Sequence, residues 1–355
     1  YSGVERPASQ FLSDWLGERG FDAGVDRSDS AYARRGDQDG VQIVLLGHID
    51  TVPGVIPVRV DEKNVLHGRG SVDAKGPLCA FACAAANAEL PEGVEIVVLG
   101  CTEEEAETSR GSRHALSQYT PDAVVIGEPS GWDGVTLGYK GRMLARFELN
   151  RPWAHSAGPA GSATDAGLAW WSAVTAYVDG FNRNKSGAFT SLQATIHEIQ
   201  SFNNGLTDSI RLHAGFRLPP SLTPEELERS LRESLADTPE LHEEGVQASL
   251  HCSGRELAHR SSRSDVVATA FRGAIRVLGG KPIDKVKTGT SDMNVVAPQW
   301  NCPIIAYGPG DSSLDHTPEE RQDLNEYWKS IEVLTLAIEQ LAYTLMANQR
   351  THAST

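Results

Sequence analysis

The sequence predicts an α/β fold whose main domain is interrupted by a smaller α+β domain. Three apolar, β-branched runs at 41–46, 95–100 and 123–127 have the composition of strands that are buried on both faces. An alanine-rich helical pattern at 75–90 separates the first two, and this alternation is typical of an α/β sheet. At 355 residues the chain is also long for a single core, so we expect two domains.

The remaining elements follow from the same patterns, taken in chain order. A helix is predicted over 5–20, where apolar residues recur at helical spacing and a glycine ends the run. From about Gly141 apolar and polar residues alternate, which indicates strands with one wet face. The elements predicted there are strands at 143–149, 191–197 and 210–218 and helices at 164–182 and 223–236.

The chain then returns to the main domain. A helix at 266–278 and a buried strand at 302–308 are predicted there, and residues 346–355 are expected to form a frayed tail. These patterns place the main domain at 1–140 and 256–355, and the inserted α+β domain at 141–255.

The composition excludes several classes of function. The formal net charge of −15 argues against a general binder of nucleic acid or anionic membranes, because either polyanion would repel the chain. The five cysteines are odd in number and form no Cys-x-x-Cys pair, which favours small buried thiols in a reducing compartment. Because we recognise no signal peptide and no apolar run long enough to span a bilayer, we expect a cytoplasmic protein.

Polar residues cluster directly after the predicted buried strands. His48, Glu103 and Glu128 each follow such a strand within one to four residues. Ligands gather at the carboxyl ends of strands in open α/β sheets, so we expect these side chains to share one edge. Taken singly, each has an ordinary explanation: His48 as an isolated surface histidine, for example, or Glu103 as part of a solvated acidic loop. Their joint occurrence favours a site.

The residue types at these positions suit a pair of divalent cations. Two imidazoles and three carboxylates can hold two ions when one carboxylate is shared, and a further carboxylate can carry protons. His48 and Asp50 would point to the same side of an extended segment, so Asp50 can orient the imidazole ring. The glycines around Asp73 would let the backbone bend close to an ion, and Gly68–Gly76 does not have the residue order of a phosphate-binding loop.

The acidic triplet Glu103, Glu104 and Glu105 would be electrostatically costly in one cleft, at about 1 kcal/mol or more per close pair, unless a cation is present. Neighbouring carboxylates at a strand end point in different directions. We therefore expect Glu104 to bind metal while Glu103 holds a water molecule.

Six motifs, in order over nearly the whole chain, resemble the M20 family of metallopeptidases and deacylases. They are Gly47–Gly54, Gly68–Gly76, Thr102–Glu105, Gly127–Ser130, His155–Gly158 and Asp315–Glu320. The resemblance implies a zinc-peptidase-like main domain with a mixed sheet flanked by helices, a ferredoxin-like insert that serves as a dimerisation or lid domain, and a homodimer. It also implies a metal-dependent hydrolase that cleaves linear amides.

The same resemblance implies a role for each site residue. His48 and Glu128 would bind one zinc ion and Glu104 and His316 the other, with Asp73 shared between them. Zinc is expected, although cobalt or manganese would suit the same nitrogen and oxygen ligands. Asp50 would orient His48, and Glu103 would be the general base.

His155 would stabilise the tetrahedral oxyanion, commonly from the opposite subunit of a dimer. A structural histidine beside a helix is the alternative for His155.

Two further segments, Lys287–Asn294 and Tyr307–His316, are similar to M20 enzymes that release lysine, and sometimes ornithine, from an acidic amino-group carrier protein. Some of these enzymes are described as acetyl-lysine deacetylases. Thr290 and Arg217 fall where relatives hold the carboxylate of the substrate, although Arg217 could equally be a surface residue. Asp208 replaces the amide of many relatives, and we expect it to attract a cationic lysine or ornithine side chain.

Other substrates and one non-enzymatic role remain open at this point. Acetylornithine deacetylase, succinyl-diaminopimelate desuccinylase and dipeptidase activities are the alternatives within the family. An inactive metal-binding scaffold is the alternative outside enzymes, and it would be favoured if a ligand or the base were missing. The sequence retains every expected ligand and the expected base.

Overall fold

The structure, a computed structural model, describes residues 1–155 and 161–353, with side chains described up to residue 350. It divides into two compact units. The first comprises Tyr1–Gly138, Arg260–Val286 and the chain from Ser291 onward, and the second comprises Tyr139–His259 and Lys287–Thr290. The predicted insert at 141–255 lies inside the second unit. The short return of the chain to that unit at 287–290 was not predicted.

The strands and helices of the described residues have the following bounds. The strands are β1 (Asp22–Val25), β2 (Ala31–Gly36), β3 (Val41–His48), β4 (Arg59–Val60), β5 (Val65–His67), β6 (Val94–Cys101), β7 (Ala123–Gly127), β8 (Gly134–Tyr139), β9 (Gly141–Pro152), β10 (Gln193–Asn203), β11 (Thr207–Leu218), β12 (Gln247–Glu256), β13 (His259–Arg260), β14 (Ile283–Lys287), β15 (Ile304–Tyr307) and β16 (Arg321–Asp323). The α-helices are α1 (Arg6–Gly17), α2 (Lys75–Asn87), α3 (Arg110–Ala115), α4 (Ala163–Asn182), α5 (Pro224–Ala236), α6 (Val266–Val277), α7 (Asp292–Trp300) and α8 (Leu324–Ala353).

The main sheet of the first unit has the strand order β1-β2-β6-β3-β7-β15-β8-β13, with β14 paired to β8. The four strands β6, β3, β7 and β15 run parallel, whereas β1 and β2 add an antiparallel edge. The central strands carry Val, Ile and Leu side chains with almost no solvent exposure, because helices cover both faces. The predicted mixed α/β fold is confirmed.

The long C-terminal helix α8 belongs to the core of the first unit. By length and composition, its span Leu324–Arg350 could cross a membrane. Half of its apolar window is buried inside the protein, however, and residues such as Leu334, Ile338 and Leu341 have no exposed surface. These contacts are typical of the core helix of a globular domain. The predicted frayed tail at 346–355 is wrong up to residue 353, because α8 continues through it.

The second unit is a four-stranded antiparallel sheet, in the order β10-β11-β9-β12, with α4 and α5 packed against it. Trp170 on α4 is fully buried and stacks on Phe147 of β9, with ring centroids 4.4 Å apart. Both helices begin with a capping box, Ser162 with Asp165 and Thr223 with Glu226, which explains why they start where the polar residues stand. The apolar residues of the alternating pattern predicted for these strands therefore lie on the face of the sheet that packs against the helices.

Candidate metal centre

The polar residues of the candidate site follow the parallel strands of the main sheet. β3 ends at His48, β6 at Cys101 and β7 at Gly127. Because the carboxyl ends of parallel strands lie at one edge of a sheet, the segments after them meet there. Asp73 and His316 reach the same place from loops.

His48 is almost fully buried between two carboxylates. Its Nε2 lies 3.2 Å from Asp73 Oδ1, and its Nδ1 lies 3.1 Å from the Asp50 carbonyl oxygen and 3.4 Å from Asp50 Oδ1. Burial alone would lower the pKa of His48, but its hydrogen bonds with Asp50 and Asp73 raise it well above the usual value. Asp50 therefore orients the ring so that Nε2 faces Asp73.

Asp73 stands between the two histidines of the site. Its Oδ1 faces His48, and its Oδ2 lies 2.9 Å from His316 Nε2. Burial would raise the pKa of Asp73, but the hydrogen bonds from His316 and His48 hold it below its ordinary value. The loop before Asp73 turns at Gly70, whose φ of +83° favours glycine and where a Cβ atom would lie 2.8 Å from Lys75 Cε.

His316 pairs with Glu105 as well as with Asp73. The distance from His316 Nε2 to Glu105 Oε1 is 3.0 Å. Hydrogen bonds with Asp73 and Glu105 raise the pKa of His316 to about 10. His316 has a φ of +61°, which is uncommon for a residue other than glycine, and its side chain is 54% exposed. Its exposure places it on the open side of the cluster.

Asp50 also organises the loop after β6. Its two oxygens accept hydrogen bonds from the backbone N–H groups of Glu104 and Glu105, each at 3.1 Å, and Ser2 Oγ donates to Oδ2 at 2.6 Å. Burial would raise the pKa of Asp50, but its hydrogen bond with His48 and these donors lower it to about 2. One carboxylate thus positions both the His48 ring and the acidic loop.

Glu104 lies among other ionisable groups of the site. Desolvation raises the pKa of its carboxyl well above the usual range; the charge of His48 opposes this, and Glu128, Asp292 and Glu105 add to it. Glu128 directly follows β7 and is buried. The negative groups crowd together here, as a cation site requires.

Glu103 is directed away from this cluster. Its Oε1 lies 2.9 Å from Arg110 Nε, its Oε2 accepts a hydrogen bond from Thr108 at 2.5 Å, and its backbone N–H donates to Glu5. The φ of Glu103 is +60°, which turns the chain and shifts the alternation of the next two side chains. This placement does not support the predicted role of Glu103 as the base. Within the acidic triplet, it is Glu105 whose carboxylate pairs with His316.

Two groups of donors are close enough to share ions. They are His48, Glu104 and Glu105, and Asp73, Glu105 and His316, with the ligand atoms of each group within 4.8 Å of one another. Imidazole nitrogens together with several carboxylates carry an excess of negative charge, which divalent cations neutralise, and nitrogen and oxygen donors of this kind suit zinc and its neighbours. The donor set fits divalent metal ions.

Two predicted substrate residues meet within the second unit. Arg217 Nη1 donates to Thr290 Oγ1 at 3.0 Å. The ammonium of Lys140 is near enough for the Arg217 charge, after burial, to help lower the pKa of Lys140 to about 8. His155 is exposed in the same unit, and the other residues of its motif, 156–158, lie outside the described residues.

Asp208 has a structural position that sequence reasoning did not anticipate. It is buried in β11, and its Oδ2 accepts a hydrogen bond at 2.7 Å from the backbone N–H of Ala163, the first residue of α4. A carboxylate at a helix N-terminus stabilises the helix. This position gives Asp208 a structural role at the start of α4, and its attraction for a cationic substrate side chain stays a prediction.

Comparison with known proteins identifies the family. The sequence model described as Peptidase family M20/M25/M40 matches residues 44–340, which include every candidate ligand. The chain belongs to this family. The recognition made from the motifs is confirmed, and the M20 chain is a hydrolase that acts on amide bonds.

Curated relatives of this M20 chain carry narrower names. It is 48% identical over 346 residues to a LysW-lysine hydrolase of Deinococcus radiodurans, covering 96% of this chain and 93% of the relative. A relative named LysW-lysine/LysW-ornithine hydrolase from Saccharolobus islandicus is 27% identical over 301 residues, covering 84% of this chain and 81% of the relative.

Solved structures share the fold at low sequence identity. An M20 metallo-carboxypeptidase from Sulfolobus solfataricus is 16% identical with a TM-score of 0.76, covering 96% of this chain and 94% of that one. A dinuclear metal-binding M20 peptidase from Bacillus subtilis is 15% identical with a TM-score of 0.65, covering 97% and 93%.

The pairing of Glu105 with His316 was not predicted, because the family resemblance had been carried over to Glu104 as the ligand and Glu103 as the base. The relevant signal was present in the triplet, since three adjacent acids offered three possible registers. The choice between them depended on the positive φ of Glu103, a conformation that a glutamate does not announce in sequence.

Proposed function

We propose that this M20 enzyme hydrolyses the amide that joins lysine to an amino-group carrier protein, and so releases free lysine in the cytoplasm. The observation that carries the proposal is the 48% identity, over 96% of the chain, to the LysW-lysine hydrolase of Deinococcus radiodurans. Hydrolases named for lysine and ornithine at lower identity make the ornithine conjugate a second candidate substrate.

We further propose that the site binds two divalent ions, most simply zinc, with cobalt or manganese as substitutes. His48 and Glu128 would hold one ion, Glu105 and His316 the other, and Asp73 would be shared. Glu105 replaces Glu104 in this assignment because its carboxylate lies 3.0 Å from His316 and is common to both groups of donors. Bound ions would polarise the amide carbonyl and lower the pKa of a water molecule.

Glu104 is the proposed general base. Its carboxylate would take a proton as the water oxygen bonds to the carbonyl carbon, and would return that proton to the lysine amine as the C–N bond breaks. Its support is positional: the Glu104 carboxylate lies with His48 and Glu105, whereas Glu103 is turned to Arg110. Asp50 would keep the Glu104 backbone in place throughout.

The second unit carries the proposed substrate contacts. The guanidinium of Arg217, supported by Thr290 at 3.0 Å, is suited to the carboxylate of the substrate. We propose that His155 stabilises the oxyanion from the partner subunit of a homodimer. β10 is an edge strand whose Ile199 and Phe202 are each 46% exposed, which supports a role of this unit as a dimerisation or lid domain.

The proposal is tested by comparing turnover of a carrier-lysine conjugate, a carrier-ornithine conjugate, acetyl-lysine, acetylornithine and succinyl-diaminopimelate on the zinc-loaded protein. We expect kcat/KM for carrier-lysine to exceed that for acetyl-lysine by about 100-fold or more, because binding energy from the carrier contributes to the transition state. A Glu104→Gln variant controls for contaminating hydrolases. Faster turnover of acetylornithine or of the succinylated substrate would refute the proposed substrate.

A further inference from the structure

A buried carboxylate outside the proposed ligand set holds the loop that carries Asp73. Glu320 has no exposed surface. Its Oε1 accepts hydrogen bonds from the backbone N–H of Val72 at 2.9 Å and from that of Asp73 at 3.1 Å. The carboxylate therefore grips the backbone of the residue proposed to be shared by both ions.

Arg69 connects this carboxylate to the histidine loop. Its Nη1 donates to Glu320 Oε2 at 2.7 Å and to the carbonyl oxygen of Thr317 at 3.1 Å. Thr317 directly follows His316, and only 12% of the Arg69 side chain is exposed. The Gly68 N–H also donates to the Glu320 carbonyl oxygen, at 3.4 Å. Two loops that are distant in sequence are thus joined beside the ligands.

We infer that Arg69 and Glu320 are positioning residues that set the separation between Asp73 and His316. Asp73 Oδ2 and His316 Nε2 lie 2.9 Å apart, and each belongs to a loop that the pair fixes through a backbone bond. Partners behind metal ligands control ligand orientation, and their loss commonly costs 10–100-fold in metal affinity. The inference rests on the proposed metal site.

A buried ion pair by itself is weak evidence for a gain in stability. The positioning role is therefore inferred from the hydrogen bonds that the pair makes with the backbone of the two loops. The alternative is that Arg69 and Glu320 serve only the general stability of the first unit. The two roles differ in what happens to metal binding when the pair is broken.

The same unit contains a matched control, the ion pair of Glu95 and Arg34. Glu95 is also fully buried, its Oε1 lies 2.8 Å from Arg34 Nε, and its Oε2 accepts a hydrogen bond from Gln42 at 2.7 Å. Glu95 is the second residue of β6, at the opposite end of the strand from Cys101 and the site. Glu95→Gln removes a comparable buried charge without contacting a ligand loop.

The experiment compares Glu320→Gln with Glu95→Gln in the full-length protein. Zinc affinity is measured by competition with a chelating dye, and the visible absorption of the cobalt-loaded protein reports ligand geometry. We expect the Kd for zinc to rise about 10–100-fold and the cobalt spectrum to change in Glu320→Gln alone. Both variants should show similar losses in thermal midpoint.

Unchanged zinc affinity, within threefold, and an unchanged cobalt spectrum in folded Glu320→Gln would overturn the inference. Equal losses of affinity in Glu320→Gln and Glu95→Gln would also overturn it, since the effect would then be general. If Glu320→Gln does not fold, we compare Arg69→Met with Arg34→Met instead. Zinc affinity and the cobalt spectrum of these two variants then test the inference by the same criteria. Failure of the parent protein to bind two ions would instead refute the proposed metal site, so the two failures can be told apart.

Discussion

The first prediction tests whether Glu104, rather than Glu103, is the general base. Glu104→Gln keeps the shape of the side chain but removes its ability to accept a proton. A general base contributes about 10²–10⁴ in rate, so kcat should fall by that factor, or about 2.7–5.4 kcal/mol in activation free energy. Zinc content should remain at the parent level, because Glu104 is not needed as a ligand in the proposed assignment.

Glu103→Gln, at the preceding residue, is the matched control. The contact of Glu103 with Arg110 is partly exposed, at 17% and 38% of the two side chains, and Arg110 also lies 3.5 Å from Asp29. Loss of such a pair costs about 0.2–1 kcal/mol of unfolding free energy. The kcat of Glu103→Gln should therefore stay within about threefold of the parent value.

The assay follows released lysine from the carrier conjugate under single-turnover conditions, with metal content measured on the same samples. Single-turnover rates separate chemistry from product release. A loss of 100-fold or more in zinc-replete Glu103→Gln, with Glu104→Gln active to within threefold, would refute the reasoning. Loss of zinc from Glu104→Gln would show instead that Glu104 is a ligand.

Three further predictions concern the metal, the second core and the thiols. Chelation should abolish lysine release, and added zinc should restore it. Zinc at 100 times its Kd should also add about 2.7 kcal/mol to the unfolding free energy, measured by urea denaturation. Trp170→Ala should lower the unfolding free energy of the second unit by about 3–5 kcal/mol in the same assay, because it leaves a cavity where a fully buried ring stacks on Phe147. A loss below 1 kcal/mol would contradict this packing. Cys302 is half-buried, and burial raises its pKa to about 12, so its labelling by a thiol reagent should accelerate about tenfold per pH unit between pH 8 and pH 10, as the thiolate fraction does. Cys302→Ser should remove that phase, and a plateau near pH 9 would disprove the raised pKa.

Local patterns were sufficient for most of the architecture. The runs that became β3, β6 and β7 are continuous and β-branched, so their burial could be predicted without knowing their neighbours. Strand ends were harder to place: β10 was predicted at 191–197 but runs over Gln193–Asn203, because much of this edge strand is polar and exposed. Residues 346–355 were predicted to form a frayed tail for a similar reason, since the last turns of α8 are polar.

The residue types of the site could also be recognised in sequence, because His48, Asp73 and His316 stand in motifs with distinctive glycines and prolines. The direction in which each acid points could not. A single positive φ at Glu103 sends that side chain to Arg110 and leaves the next two at the cluster. Such a backbone state depends on contacts with the rest of the domain rather than on the residue itself.

The amino-acid sequence alone determined the fold class, the family and the motifs that contain the candidate ligands, because periodicity, composition and motif order are properties of short segments. Tertiary structure alone decided which acid meets His316, why Asp208 faces the start of α4, and that Arg69 pairs with a glutamate 251 positions away. The physical reason is that these outcomes depend on distances between segments. No local pattern encodes such distances, and only folding brings the partners within hydrogen-bonding reach.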